Sequence, residues 1–359
     1  MTLFWIAVGW NVIPAARSHD FLNLYTGASL AREGRFADLH NRQAQLERER
    51  ELVPSTPMLI PFVRPHFYAA FLAPLSLLGY DTALHAWLVL QVLLLMACWA
   101  WGYRTFGPDA LIFGPLYLPT ALGIAHGQDG VFMLLAVIGS YHFAQREQPL
   151  KSGATLALGL MKFHLLLLAP VAMLIEKRWK MLQGFCAVAT AEVLASLALG
   201  GTQAVSQYAS LLRAKDLERL SPSPELMINL YSIGINFGID SIFLAAGLAL
   251  AAVVLLVMGV RRAPLWRFFT VWTVGSLLIA PHVFGYDAAL LLLPLWLALF
   301  CSKSVPTRIA ATFLVTPIPY AGSLLDSPWA ALPALSLLLF LAALAREGYK
   351  ESDGALAAG

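Results

Sequence analysis

The sequence predicts an all-α polytopic membrane protein with about 12 membrane segments, among them a short broken hairpin, and a long first extracytoplasmic loop. Three observations carry this. Hydrophobic residues make up 59% of the 359 positions and charged residues only 13%, about half the ~25% charge of a soluble domain. Mean hydropathy is +0.69. Apolar runs recur along the chain at close to the ~20 residues that carry a helix, rising ~1.5 Å per residue, across a hydrocarbon core ~30 Å thick. This composition excludes a disordered chain and a soluble globular one. A net charge of +3 gives no support for a nucleic-acid partner. Cys98, Cys186 and Cys301 all lie in apolar stretches, and none has zinc-ligand spacing, so neither a disulfide framework nor a metal knot is expected.

In chain order, spans are expected near 2–16, 82–103, 109–125, 131–145, 180–200, 240–260, 265–281, 286–302, 306–323 and 328–345. The first is short, contains Asn11 and lacks a basic start. It reads as a thin first helix, or as a product of a late start codon, rather than a signal peptide. Residues 17–81 form the extracytoplasmic loop. Asp38 to Leu52 is polar and rich in good helix formers, which predicts a surface helix. Pro54, Pro57, Pro61 and Pro65 then break regular structure. His66 to Leu78 reads as an apolar interfacial helix interrupted at Pro74.

The stretch 152–175 is apolar but contains Lys162 and His164. A straight span would place Lys162 near mid-membrane, at a cost of roughly 2.5–3.5 kcal/mol. A broken hairpin with Lys162 at its tip avoids that cost. It also keeps Arg146 and Lys151 on the same side as Lys177, Arg178 and Lys180. With both termini cytoplasmic, every short inner loop is basic. The short outer turns 126–130, 282–287 and 324–327 hold no Lys or Arg, as the positive-inside rule requires. Residues 1–345 read as one membrane domain and 346–359 as a cytoplasmic tail, in a plasma (inner) membrane protein.

On this topology the costly polar residues fall on the outer side. Asp20 follows the first span, and His126, Gln128 and Asp129 fill a Gly-flanked turn. Lys162 and His164 cap the hairpin, while His282, Tyr286 and Asp287 fill another outer turn. Four chain segments converging on one face suggest a single water-filled site facing the periplasm or exterior. Each residue also has a purely structural reading. Asp20 beside His19 also reads as a solvated cap, and the 126–130 turn as only a turn. Lys162 also reads as a snorkelling side chain, although the break in its span favours a functional role, and Asp287 as a helix cap.

No Ser-His-Asp spacing, HExxH motif or phosphate-cradling Gly-rich loop is present. No cofactor is called for, and no metal cluster is evident, although Asp20 with Asp129 or Asp287 would suit a divalent ion if adjacent. Nucleotide-activated donors are mainly cytoplasmic, so an outer enzyme needs a donor carried across on lipid. A lipid-phosphate sugar fits a site with a cation for the phosphate and a carboxylate for the acceptor hydroxyl. Two other classes stay open, a catalytically silent scaffold and a transporter or lipid flippase. The second also uses broken helices, but the hairpin has no repeat in the other half of the chain.

The order of these pieces resembles glycosyltransferase family 87. The resemblance rests on Asp20-Phe21-Leu22, Tyr25, Gly27-Ala28, Glu33-Gly34, Phe71-Leu72-Ala73-Pro74-Leu75 and His126-Gly127-Gln128-Asp129-Gly130. It continues through Gly159-Leu160-Met161-Lys162, Arg178-Trp179 and Pro281-His282-Val283-Phe284-Gly285-Tyr286-Asp287. The chain departs from the family at Arg64-Pro65-His66, where Tyr-Pro-Pro is frequent, at Asp129, where many members have Asn, and at Phe163, where many have Pro. The resemblance implies a GT-C-like helix bundle. It also implies inverting transfer of a hexose, best known as mannose, from a polyprenyl-phosphate donor to a lipid or glycan acceptor, with membrane lipids around it. Asp20 is then expected to be the general base and Lys162 the partner of the donor phosphate. His282 would share that role or hydrogen-bond the sugar. His126, Gln128, Tyr286, Asp287, Tyr25, Arg64 and His66 are expected to line the substrate pocket.

Overall fold

The computed structural model describes residues 20–56, 58–115, 117–213, 223–239, 242–322, 325 and 327–357. The expected first span at 2–16 lies outside them. Among the described residues every regular element is helical. The α-helices are α1 Asp20–Arg32, α2 Arg42–Leu52, α3 His66–Leu72, α4 Tyr80–Phe106, α5 Asp109–Phe113, α6 Leu118–Ala125, α7 Gly130–Gln145, α8 Pro149–Ala157 and α9 Leu168–Ile175. They continue with α10 Trp179–Arg213, α11 Leu230–Asn236, α12 Ile242–Val260, α13 Leu265–Ile279, α14 Leu292–Cys301, α15 Val305–Val315, α16 Ile318–Ala321 and α17 Leu332–Ala357.

Three helical stretches among the described residues, Tyr80–Phe106, Trp179–Leu212 and Trp329–Lys350, are long and apolar enough to cross a membrane. A fourth arises if the bent pair Pro149–Leu166 and Leu168–Ile175 counts as one span. That pair bends by 107°, and the backbone is non-helical at Lys162 (φ −121°, ψ 56°). The break expected in 152–175 therefore has its irregular residue at the lysine. Other apolar stretches are shorter than their sequence reading. Residues 109–125 divide into α5 and α6, and 306–323 into α15 and α16.

The chain forms two compact units. The first comprises residues 1–94, 121–129 and 187–222. In it, α1 is buried from Phe21 to Ala31 and packs against α2, α3 and the 3-10 turn Ala73–Leu77. The surface helix α2 starts where Asn41 accepts hydrogen bonds from the backbone of Gln43 and Ala44, satisfying two of the donors a helix start leaves open. The Pro-rich segment is then stitched to α2. Phe62 N–H donates to Gln45 Oε1 at 2.8 Å, and Ile60 N–H to Glu49 Oε2 at 3.1 Å.

The second unit comprises residues 95–120, 130–186 and 223–359. The buried faces of α13 and α14 run through it, with Trp272 and Trp296 fully enclosed. Close helix approach relies on small residues. A Cβ at Gly153 would fall on the carbonyl of Met181, and one at Gly184 on that of Leu150, the kind of contact that lets membrane helices pack backbone to backbone. The last helix is tied in by Glu347, whose carboxylate accepts from Ser302 Oγ at 2.8 Å and Thr307 Oγ1 at 2.9 Å.

Candidate active site

The first unit assembles its polar residues around the head of α1. Asp20 lies in the first helical turn, where the peptide dipoles favour a negative charge. Its carboxylate faces the imidazole of His126, Nδ1 to Oδ2 3.8 Å, and both side chains are partly open, at 22% and 37% exposure. His126 is held there by its turn. Gln128 N–H donates to Gly123 O at 2.8 Å, and the Trp87 indole donates to Gly127 O at 2.8 Å. Gly127 has φ +69°, and a Cβ there would lie 2.7 Å from Phe21 Cβ. The turn thus rests directly on the residue after Asp20, and glycine is required by both conformation and space.

Behind this dyad the buried Asp129 is gripped by Arg64. Nε donates to Oδ2 at 3.1 Å and Nη2 to Oδ1 at 3.2 Å, and Gln128 Oε1 accepts from Nη2 at 3.5 Å. Burial, then the Asp129 anion, pushes the Tyr68 phenol well above its ordinary range. Behind Arg64 sits a box of rings. His40 stacks on Tyr208 at 4.5 Å and meets His66 edge-on at 4.8 Å, and its Nε2 is bonded to Arg64 O at 3.1 Å. Among the described residues neither ring nitrogen of His66 has a hydrogen-bond partner. Burial, with His66 alongside, pulls His40 down to about 4, and burial also lowers His66, so both rings are neutral at physiological pH. Tyr25 packs against Tyr80, and its hydroxyl donates to Leu78 O at 2.7 Å.

The second unit assembles the other group. Lys162 Nζ donates to Asp287 Oδ1 at 2.8 Å, with both side chains 3% exposed. The same ammonium lies 5.6 Å from the centre of the Tyr286 ring. Asp287 is oriented by its own turn, its Oδ2 accepting from Phe284 N–H at 3.0 Å. His282 is exposed and meets Phe284 edge-on at 5.0 Å.

Sequence reasoning missed three features. Asp129 is the ion partner of Arg64, and His40 and Tyr208 enclose His66; in each case the partners are far apart in sequence. The third is Asn229, in a stretch with no apolar period. Its Nδ2 donates to Ala280 O at 2.9 Å, while Ile228 N–H donates to Val283 O at 3.0 Å. This segment braces the 281–287 loop. Asn229 also caps α11 through Ser232 N–H, and an Asn ahead of Leu-Tyr-Ser-Ile was the available signal. Among the described residues no group of three or more His, Cys, Asp or Glu is arranged to hold a metal ion. Of the three carboxylates considered for one, Asp129 and Asp287 are engaged by Arg64 and Lys162.

The family model of glycosyltransferase family 87 matches residues 62–284, more than half of the chain. The chain belongs to glycosyltransferase family 87. It is therefore a membrane glycosyltransferase, acting on a sugar donor and an acceptor. No curated protein and no solved structure matches it. The family 87 match takes in Arg64, His66, the His126–Asp129 turn, Lys162 and His282; Asp20, Tyr25, Tyr286 and Asp287 lie outside the matched range.

Proposed function

We propose that this family 87 enzyme transfers a hexose, in the first instance mannose, from a polyprenyl-phosphate donor to a hydroxyl of a lipid or glycan acceptor. The reaction takes place on the extracytoplasmic face of the plasma membrane. In this reading the enzyme is a GT-C-like bundle of about 12 membrane segments with both termini cytoplasmic. Asp20 is the general base. The acceptor oxygen attacks the anomeric carbon and its proton passes to the Asp20 carboxylate. The bond from that carbon to the phosphate oxygen breaks on the opposite face, and polyprenyl phosphate leaves with the bonding pair. One displacement inverts the anomeric configuration. Lys162 pairs with the donor phosphate and stabilises the charge that grows on it. His282, Tyr286, Asp287, Gln128 and His126 contact the sugars.

The observation that carries this reading is the partly exposed Asp20 carboxylate at the head of a helix buried from Phe21 to Ala31, with an imidazole 3.8 Å away. A carboxylate meant only to cap a helix has no need of that imidazole. The imidazole fits a base that must stay oriented and shed its proton after turnover. The test is incubation of the purified protein with labelled polyprenyl-phosphate hexose and a lipid extract. A new labelled glycolipid supports the assignment; substrate movement across vesicles with no new bond rejects it. Asp20→Asn is expected to lower turnover by about 10²–10⁴-fold, the usual worth of general-base assistance, with insertion unchanged. Full turnover in that variant removes Asp20 from the role.

A further inference from the structure

Arg64 is a cation behind the Asp20–His126 pair of the first unit, and the proposed donor carries a phosphate, which makes Arg64 look like an anion receptor. Its surroundings argue otherwise. The guanidinium meets Asp129 through two near-parallel hydrogen bonds of 3.1 and 3.2 Å, the fork geometry that satisfies a carboxylate best. Asp129 is 0% exposed. A substrate phosphate would have to displace both of these bonds from an enclosed carboxylate, which is strongly unfavourable. The Lys162 ammonium, by contrast, holds Asp287 through a bond of 2.8 Å from one of its three donors, so it can add a phosphate contact and keep its carboxylate.

Arg64 is also fixed from its own side. Pro65 follows it and confines its backbone to extended conformations. His40 Nε2 holds its carbonyl, and Phe62 N–H is held by Gln45 of the surface helix. What Arg64 fixes in turn is the His126–Asp129 turn. Asp129 is the end of that turn, Gln128 shares the guanidinium, Gly127 sits on Phe21, and His126 faces Asp20.

We propose that Arg64 and Asp129 are positioning residues, a buried clamp that seats the turn and thereby sets His126 against Asp20, and that Arg64 does not contact substrate. The proposal rests on the assignment of Asp20 as the general base. It makes the two charges needed as a pair rather than singly. Arg64→Gln leaves a buried anion without its cation and Asp129→Asn the reverse, so either loosens the turn. The double variant R64Q/D129N replaces the ion pair with two carboxamides that hydrogen-bond in the same place.

The test compares the wild type, R64Q, D129N and R64Q/D129N as full-length protein in detergent, with labelled polyprenyl-phosphate hexose as probe. Each single variant is expected to lower kcat by about 10–100-fold, the scale of an ångström-level misplacement. Donor KM should stay within about threefold, and the pH profile of kcat/KM should shift as the dyad loosens. The double variant should return to within about threefold of wild-type kcat, with the wild-type profile. A double variant as impaired as R64Q overturns the clamp. So does an R64Q enzyme with wild-type kcat and a donor KM raised tenfold, which makes Arg64 a phosphate ligand. Should the single variants not accumulate, R64K decides: it keeps a cation opposite Asp129 and should stay within about threefold of wild-type kcat and donor KM, and an R64K enzyme with wild-type kcat and a donor KM raised tenfold overturns the proposal. Thermal unfolding of the same variants separates the clamp from the reaction assignment. If the wild type forms no product, the reaction reading fails, while additive shifts in Tm across the four proteins overturn the clamp and non-additive shifts uphold it.

Discussion

Replacing Lys162 with Met separates the counter-ion role that the structure shows for this side chain from the phosphate role proposed for it. Its ammonium lies 2.8 Å from Asp287 Oδ1, both side chains being 3% exposed. At an effective dielectric constant near 20 the attraction is about 6 kcal/mol. Desolvation of the two ions offsets most of it, so the intact pair contributes little net stability. Breaking the pair is another matter. K162M leaves Asp287 buried without its cation and is expected to cost about 3–5 kcal/mol, measurable by equilibrium unfolding in mixed micelles. K162M/D287N should recover most of that loss, because the carboxamide oxygen still accepts from Phe284 N–H and no charge remains. Donor binding should not recover. A charge-assisted bond to phosphate contributes roughly 1.5–3 kcal/mol, so both variants should bind labelled polyprenyl-phosphate hexose about 10–100-fold more weakly. Wild-type donor affinity in K162M/D287N would refute the phosphate role and leave Lys162 a counter-ion alone.

Three further outcomes are expected. Gly153→Ala places a methyl group on the Met181 carbonyl, and the helices must separate; the variant should lose about 1–3 kcal/mol or more, seen as a lower Tm at unchanged composition of the micelle. Burial raises Glu49 to about 7 from the usual 4.5. A folded-state value above the unfolded one means stability present below the unfolded value and lost as pH rises through 4.5 to 7. Glu49→Gln should therefore unfold at a higher temperature than wild type above pH 7 and lose that advantage near pH 4.5; equal melting curves at pH 8 would contradict it. Asn229→Ala removes the bond to Ala280 O and the cap of α11. It should cost about 1–2 kcal/mol and lower transfer through a looser 281–287 loop; unchanged proteolysis of that loop would count against the brace.

Much of the local structure was legible beforehand. Polar, helix-favouring residues before four prolines predicted α2 and the irregular segment after it. The apolar run broken at Pro74 predicted α3 and the 3-10 turn that follows. A lysine in an apolar run predicted a broken segment, and the backbone breaks from helix at that lysine. These readings succeed because proline, glycine and charge act on the backbone or on solvation within a few residues. The lengths of the helices from Asp109 onward were less legible. A hydropathy run does not register where a turn such as that between α15 and α16 interrupts it.

By itself the sequence determined that the protein is helical and apolar enough for a membrane, and which polar residues needed an explanation. The ordered motifs also pointed to glycosyltransferase family 87. Only the tertiary structure decided which charges meet. Lys162 and Asp287 are 125 residues apart and Arg64 and Asp129 are 65, and no local pattern pairs them. A buried charge requires some counter-charge, which can be inferred from composition, but its identity depends on which segments the fold brings within about 3 Å. For the same reason Asp20 could be singled out as a carboxylate just after the first expected span, while the helix it heads, the imidazole facing it, and the clamp behind that imidazole, emerged only in three dimensions.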